Sequence, residues 1–125
     1  MISAVALHVL DEASTGFLPF YNTLAQSLRA ILGLSFPPMF SFGAWLGGLI
    51  AAIIISFALT PLVSRGGRFI RILTTAVGMM MVVNALGHML GSVYLGRLMP
   101  GFWSSPFLLV TAAYVVLRGF SHPHP

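Results

Sequence analysis

His8 is followed three and four residues later by Asp11 and Glu12, the only acidic residues in the chain, at the end of the otherwise apolar run Ile2 to Leu10. Residues three and four apart share a helix face, so an imidazole and two carboxylates project together. Asn84 and His88 repeat the i,i+4 spacing far downstream. Two imidazoles and one or two carboxylates form a competent ligand set for zinc, iron or manganese. His8, Glu12 and His88 are the expected ligands, with Asn84 as an orienting group or extra oxygen ligand. Without a metal, His8, Asp11, Glu12, Asn84 and His88 are equally suited to acid/base catalysis, a carboxylate and an imidazole exchanging protons as a coupled unit. Both chemistries stay open on residue types alone.

Each pair also has a blander use. His8, Asp11 and Glu12 suit a wet helix end near a membrane surface, and Asn84 and His88 suit a hydrogen bond between helices. The surrounding sequence raises the stakes. Of 125 residues, 58% are hydrophobic and only 6% charged, with a mean hydropathy of +0.97. Soluble domains carry roughly 25% charged residues, so the composition reads as an integral membrane protein, where an ionisable cluster is expensive to bury. The six basic residues are all arginines, scattered singly enough that no basic face exists for nucleic acid. Cysteine is absent, which removes disulfides and thiolate chemistry. The N-terminus lacks the positive start of a signal peptide, and no cleavage is expected.

The elements that must position these residues are helices. Phe40 to Val63 is uncharged, bounded by Pro37-Pro38 and by Ser64-Arg65-Gly66-Gly67-Arg68, and long enough to cross a core of about 30 Å. Phe69 to about Gly96 is a second span, carrying Asn84 and His88. Pro100-Gly101 breaks the chain, and Phe102 to Leu117 forms a shorter apolar helix that tolerates Pro106 in its first turns. Met1 to about Thr15 reads as a short first span ended by Gly16 and Pro19. Tyr21 to Leu34 has the period of an amphipathic helix suited to the membrane interface. The expected fold is all-α: a polytopic membrane bundle of about four membrane helices plus one interfacial helix, forming a single domain over residues 1–120 with a flexible tail at 121–125. His122 and His124 in that tail are expected to do nothing specific.

Arg65, Arg68 and Arg71 between the two clearest spans place that loop, and with it the C-terminus, in the cytoplasm by the positive-inside rule. Counting from that side, Glu12 stands roughly 17 Å deep, Asn84 roughly 22 Å and His88 roughly 28 Å. The two polar faces meet if the first helix starts below the surface. Gly87 with Gly91, and Gly43 with Gly47, offer small-residue surfaces for close helix approach.

The run His8-Val9-Leu10-Asp11-Glu12, then Asn84-x-x-x-His88, then Pro100-Gly101 ahead of a last apolar helix with Ser104, Ser105 and Pro106, resembles the HXXEE family of small integral membrane proteins. The activity of that family is not established. The chain departs from the family pattern at Asp11, where the first glutamate of the pair stands, and at Leu98, where the family tends to have a tyrosine; Tyr94 is the nearest. The resemblance implies that the five polar residues form one active or binding site. The leading expectation is a metal-dependent or acid/base enzyme acting on a lipid or hydrophobic small molecule, with a non-catalytic accessory or scaffold subunit as the alternative and proton or ion conduction third. Expected partners are the bilayer, such a substrate, and further copies of the chain or a larger membrane complex.

Overall fold

The computed structural model describes residues 1–121. Among them the fold is all-α, with no strand: α1 (Ile2–Thr15), α2 (Phe17–Leu32), α3 (Phe42–Ala58), α4 (Thr60–Ser64), α5 (Arg68–Leu95) and α6 (Ser105–Phe120). Of the tail expected from Ser121 onward, all but Ser121 lies outside the described residues.

The helix boundaries follow local chemistry. Gly16 takes a left-handed conformation (φ 81°) and closes α1 by an N–H bond to the Glu12 carbonyl. Pro19 does not end anything. It sits in the first turn of α2, where a proline costs no hydrogen bond. The polar face of α2 serves the irregular segment that follows it. Tyr21 Oη donates to the Pro38 carbonyl (2.9 Å), Arg29 Nε to the Pro37 carbonyl (2.7 Å), and Asn22 Nδ2 to the Phe40 carbonyl (2.9 Å). Ser41 then caps α3 by accepting from the Ala44 N–H. The expected continuous span from Phe40 to Val63 is two helices, because Pro61 has no N–H to carry the ladder past Leu59.

α5 and α6 pack antiparallel over most of the length of α6, and α1 lies against both α3 and α6. The contact is made of small residues. A Cβ at Gly78 would stand 3.0 Å from the Val116 side chain, and one at Gly119 would collide with Thr75. Ala4, Ala85 and Leu108 meet where α1, α5 and α6 converge. By contrast Gly43, Gly47 and Gly87 face open space, and Gly91 is filled by Met99 of the connecting turn and not by another helix.

The large side chains lie outside. Leu108 is the largest fully buried residue, whereas Phe69, Val83 and Val93 are each at least 70% exposed. α3 and α4 bury nothing. Among the described residues one helix, α5, is both long enough and apolar enough to cross a membrane, with mean hydropathy 1.8; α3 and α6 are apolar but shorter.

Candidate functional site

Three elements converge near the Pro100-Gly101 turn. α1 supplies His8, Asp11, Glu12 and Thr15 from one face, as the helical period requires. α5 supplies Asn84, His88 and Ser92 from its buried stripe. The turn and the start of α6 supply Gly101, Ser104 and Ser105. The turn is itself pinned: Ser92 Oγ, which donates to the His88 carbonyl (2.6 Å), accepts the Met99 N–H (2.8 Å), Thr15 Oγ1 accepts the Gly101 N–H (3.1 Å), and Ser105 Oγ donates to the Gly101 carbonyl (2.7 Å).

At the centre, Glu12 Oε1 lies 3.0 Å from His88 Nε2 and 3.5 Å from His8 Nε2. His8, Glu12 and His88 are all buried, and each offers a ligand atom within 4.8 Å of the others. The two imidazoles meet edge to face at 4.9 Å, and Phe17 covers His88 with its ring 5.3 Å away.

Hydrogen bonding determines where the protons lie. Ser104 Oγ stands 2.7 Å from Asp11 Oδ2, 2.7 Å from His8 Nδ1 and 3.3 Å from the Gly101 carbonyl. Its single proton goes to the nearby carboxylate, the stronger, charge-assisted acceptor. Ser104 Oγ must then accept from His8, so Nδ1 of His8 carries the proton. Asp11 Oδ2 also accepts the Ser104 backbone N–H at 2.8 Å, which holds the chain of groups in register. The remaining nitrogen of His8, Nε2, faces inward, toward Glu12 and toward Asn84 Nδ2 at 3.0 Å, and in the neutral imidazole it is the one that keeps a lone pair. Among the described residues, His88 Nδ1 is the one buried side-chain nitrogen or oxygen without a hydrogen-bond partner.

All five residues singled out in the sequence therefore come together, though not equivalently. His8, Glu12 and His88 face one another, Asn84 touches His8, and Asp11 reaches the centre only through Ser104. The profile of a family described as proteins of unknown function with an HXXEE motif matches residues 1–116. The chain belongs to the HXXEE family. No curated protein and no solved structure matches it.

In this HXXEE protein the motif places its histidine and final glutamate into the centre, while the intervening Asp11 holds the α6 end. Tyr94, 90% exposed, points away and does not stand in for the family's tyrosine before Pro100. Ser104 is the residue that sequence reasoning passed over as a contributor. Its position just after a Pro-Gly break, where helix-capping serines occur, is the signal that marks it.

Gly101 is irreplaceable on two counts. Its φ is 83°, and a Cβ there would stand 3.0 Å from both Glu12 Cγ and His88 Cε1. Gly16 has nearly the same φ of 81° but open space around it. Gly16→Ala should therefore lower thermal stability in detergent by backbone strain alone, about 1 kcal/mol, and Gly101→Ala by roughly 2 to 4 kcal/mol as strain and overpacking add. Equal losses would show that the Gly101 contact with the centre is slack.

Proposed function

We propose that this protein is an integral membrane protein in which His8, Glu12 and His88 hold a divalent metal ion, and that the centre acts as a metal-dependent enzyme on a lipid or other hydrophobic small molecule. The observation that carries the metal reading is the buried group itself, in which His8, Glu12 and His88 each turn a ligand atom to within 4.8 Å of the others. The Asp11-Ser104 chain occupies Nδ1 of His8 and leaves Nε2, 3.5 Å from Glu12 Oε1 and 3.0 Å from Asn84 Nδ2, as its inward-facing ligand atom. A positive charge between the imidazole nitrogen and the carboxylate, a metal ion or a proton, satisfies both. A carboxylate-linked imidazole is also the usual outer support of a metal-bound histidine. Rotating the Asn84 carboxamide would bring its oxygen to the same place as a further ligand. Three protein ligands leave a position for water or a substrate oxygen, the pattern of catalytic and not structural zinc.

The unpartnered Nδ1 of His88 does not weigh against this. An unsatisfied buried group costs about 1 to 3 kcal/mol, a cost that metal binding through three ligands can offset.

The membrane reading is supported by the outward distribution of large apolar residues and by the window on α5, of which only 17% is buried. A core helix of a soluble protein would be covered. On this reading α3, α5 and α6 cross, α1 enters as a short fourth element, and the Arg65 to Arg71 loop and C-terminus face the cytoplasm. A cavity of about 240 Å³ lined by Gly16, Phe20, Leu95, Arg97, Leu98, Met99 and Pro100 lies at the turn before Gly101, with a mixed polar and apolar wall.

The 3.0 Å contact between Glu12 and His88 favours one other reading, an acid/base pair sharing a proton. Elemental analysis separates the two. Protein purified without chelators or a metal-affinity tag should contain about one zinc, iron or manganese per chain; a clean absence of all three would end the metal proposal and leave the acid/base pair.

A further inference from the structure

We propose that the cavity at the C-terminal end of α5 is the headgroup subsite of the centre, where Arg97 binds the anionic head, phosphate or carboxylate, of an amphiphilic substrate. The inference deepens the function proposed above and rests on it for the ligand's role as substrate.

The cavity, about 240 Å³, lies between the α1–α2 junction at Gly16 and the turn that follows α5. Arg97 is its one charged lining residue, and Phe20, Leu95, Leu98 and Met99 supply the apolar wall. The cap of α5 sets the arginine in place: Gly96 turns the chain at φ 62°, and the Arg97 backbone N–H donates to the Ser92 carbonyl at 3.2 Å. Its side chain is exposed, and among the described residues no hydrogen bond or ion pair engages it. The only two acidic side chains of the sequence are committed elsewhere, Asp11 to Ser104 and Glu12 to the two imidazoles. A guanidinium fork matches phosphate and carboxylate bidentately, so an anion entering the cavity meets a cation with no rival partner.

The cavity also borders the centre. Gly16 stands one helical turn beyond Glu12, about 6 Å, and bonds to its carbonyl. Pro100 precedes Gly101, which packs against both Glu12 and His88. The hydrogen bond from the Gly101 N–H to Thr15 Oγ1 joins the two residues adjacent to that lining.

Size and depth point to the ligand class. Pockets for whole drug-sized molecules measure about 300 to 1,000 Å³, so this one takes a head and leaves a chain outside. Leu95 and Leu98 are exposed and offer that chain an apolar surface. Tyr94 and Trp103, 90% and 70% exposed, bracket the turn in sequence and suit the level of membrane headgroups. From His88 to Leu95 α5 rises about 10 Å, so a head at Arg97 brings bonds within about that distance of it to the level of the centre. A wholly apolar molecule leaves the arginine unused, and free phosphate leaves the apolar wall unused.

The test uses the full chain in detergent micelles with octyl phosphate as the probe, followed by phosphorus NMR. Octyl phosphate should bind saturably and octanoate should compete, while octanol and inorganic phosphate each compete at least about fivefold more weakly. Arg97→Gln should weaken octyl phosphate binding about fivefold, Arg97→Lys less, and Arg118→Gln at the opposite end not at all. Octanol or inorganic phosphate matching octyl phosphate, or an Arg97→Gln variant that binds as the parent does, would overturn the proposal. Loading the protein with paramagnetic manganese separates this reading from the metal reading. Manganese held by the centre should broaden the phosphorus line of bound octyl phosphate, and bound manganese with no broadening would place the head elsewhere and overturn the subsite. If no metal is retained, the metal reading falls, while the comparison of Arg97 variants still decides the headgroup site.

Discussion

Glu12→Gln is expected to abolish metal retention at the proposed site while leaving the helices assembled. Glutamine keeps the shape of Glu12 and can still accept from His88 Nε2, so the 3.0 Å contact between α1 and α5 survives in neutral form. What is lost is the negative charge that makes the three groups a cation site. Loss of an outer-shell partner alone weakens metal binding about 10- to 100-fold, so loss of a direct ligand should weaken it by more than about a hundredfold. His88→Ala should do the same and in addition open a void beneath Phe17. If the cluster served only to hold helices together, both variants would instead lose roughly 0.6 to 2 kcal/mol of stability per contact, with no metal in the parent to lose. Metal content after dialysis, measured beside thermal stability in detergent, distinguishes these outcomes. Retention of a full metal complement by Glu12→Gln would contradict the assignment of Glu12 as a ligand.

Asp11→Asn should weaken metal binding by about 10- to 100-fold without removing any ligand. Asp11 makes no contact with the centre; it acts by accepting from both the Oγ and the backbone N–H of Ser104. An amide in its place no longer commands the Ser104 proton, which is then free to turn toward the Gly101 carbonyl or toward His8. The second course drives the His8 proton to Nε2, the atom that would bind the proposed metal. Ser104→Ala removes the same link from its middle and should cost a similar amount. Because the two changes break one chain of groups, the double variant should lose little more than either alone, whereas independent contributions would multiply. Asp11 also faces the N-terminal end of α6, so a stability loss of about 1 kcal/mol is expected from weaker capping. The affinity measured by chelator competition reports positioning, and stability of the metal-free protein reports capping. A stability loss with unchanged affinity would leave Asp11 a capping residue only.

Much of the site was legible in the sequence because its first requirement is local. The separation of His8 from Glu12, or of Asn84 from His88, is one helical turn, and any helix carries such a pair on one face. That the two faces meet followed from the scarcity of polar groups in a chain this apolar, and the placement of α1 brings Glu12 to 3.0 Å from His88. The parts that were not legible are those that depend on where a third helix lands. Ser104 lies 96 residues from His8, and no periodicity links them. The small-residue pairs misled for the same reason. Gly43 and Gly47 have the right spacing for a close contact, yet α1 is not brought against that face, and the close approaches fall at Gly78, Gly101 and Gly119.

Helix content, the break at Pro100-Gly101, the end of α1 at Gly16 and the membership of the HXXEE family were already determined by the sequence, since each rests on residue type and on neighbours within a turn or two. Tertiary structure alone decided the use of the α2 polar face to tie down residues 37–40 and, above all, the hydrogen bonding of the centre, whereas the interruption at Leu59 was written locally in Pro61. Which nitrogen of His8 bears the proton depends on a hydroxyl delivered by α6 and a carboxylate delivered by α1. A proton's position is settled by the competition of acceptors within about 3 Å, and only the packed fold brings those acceptors together.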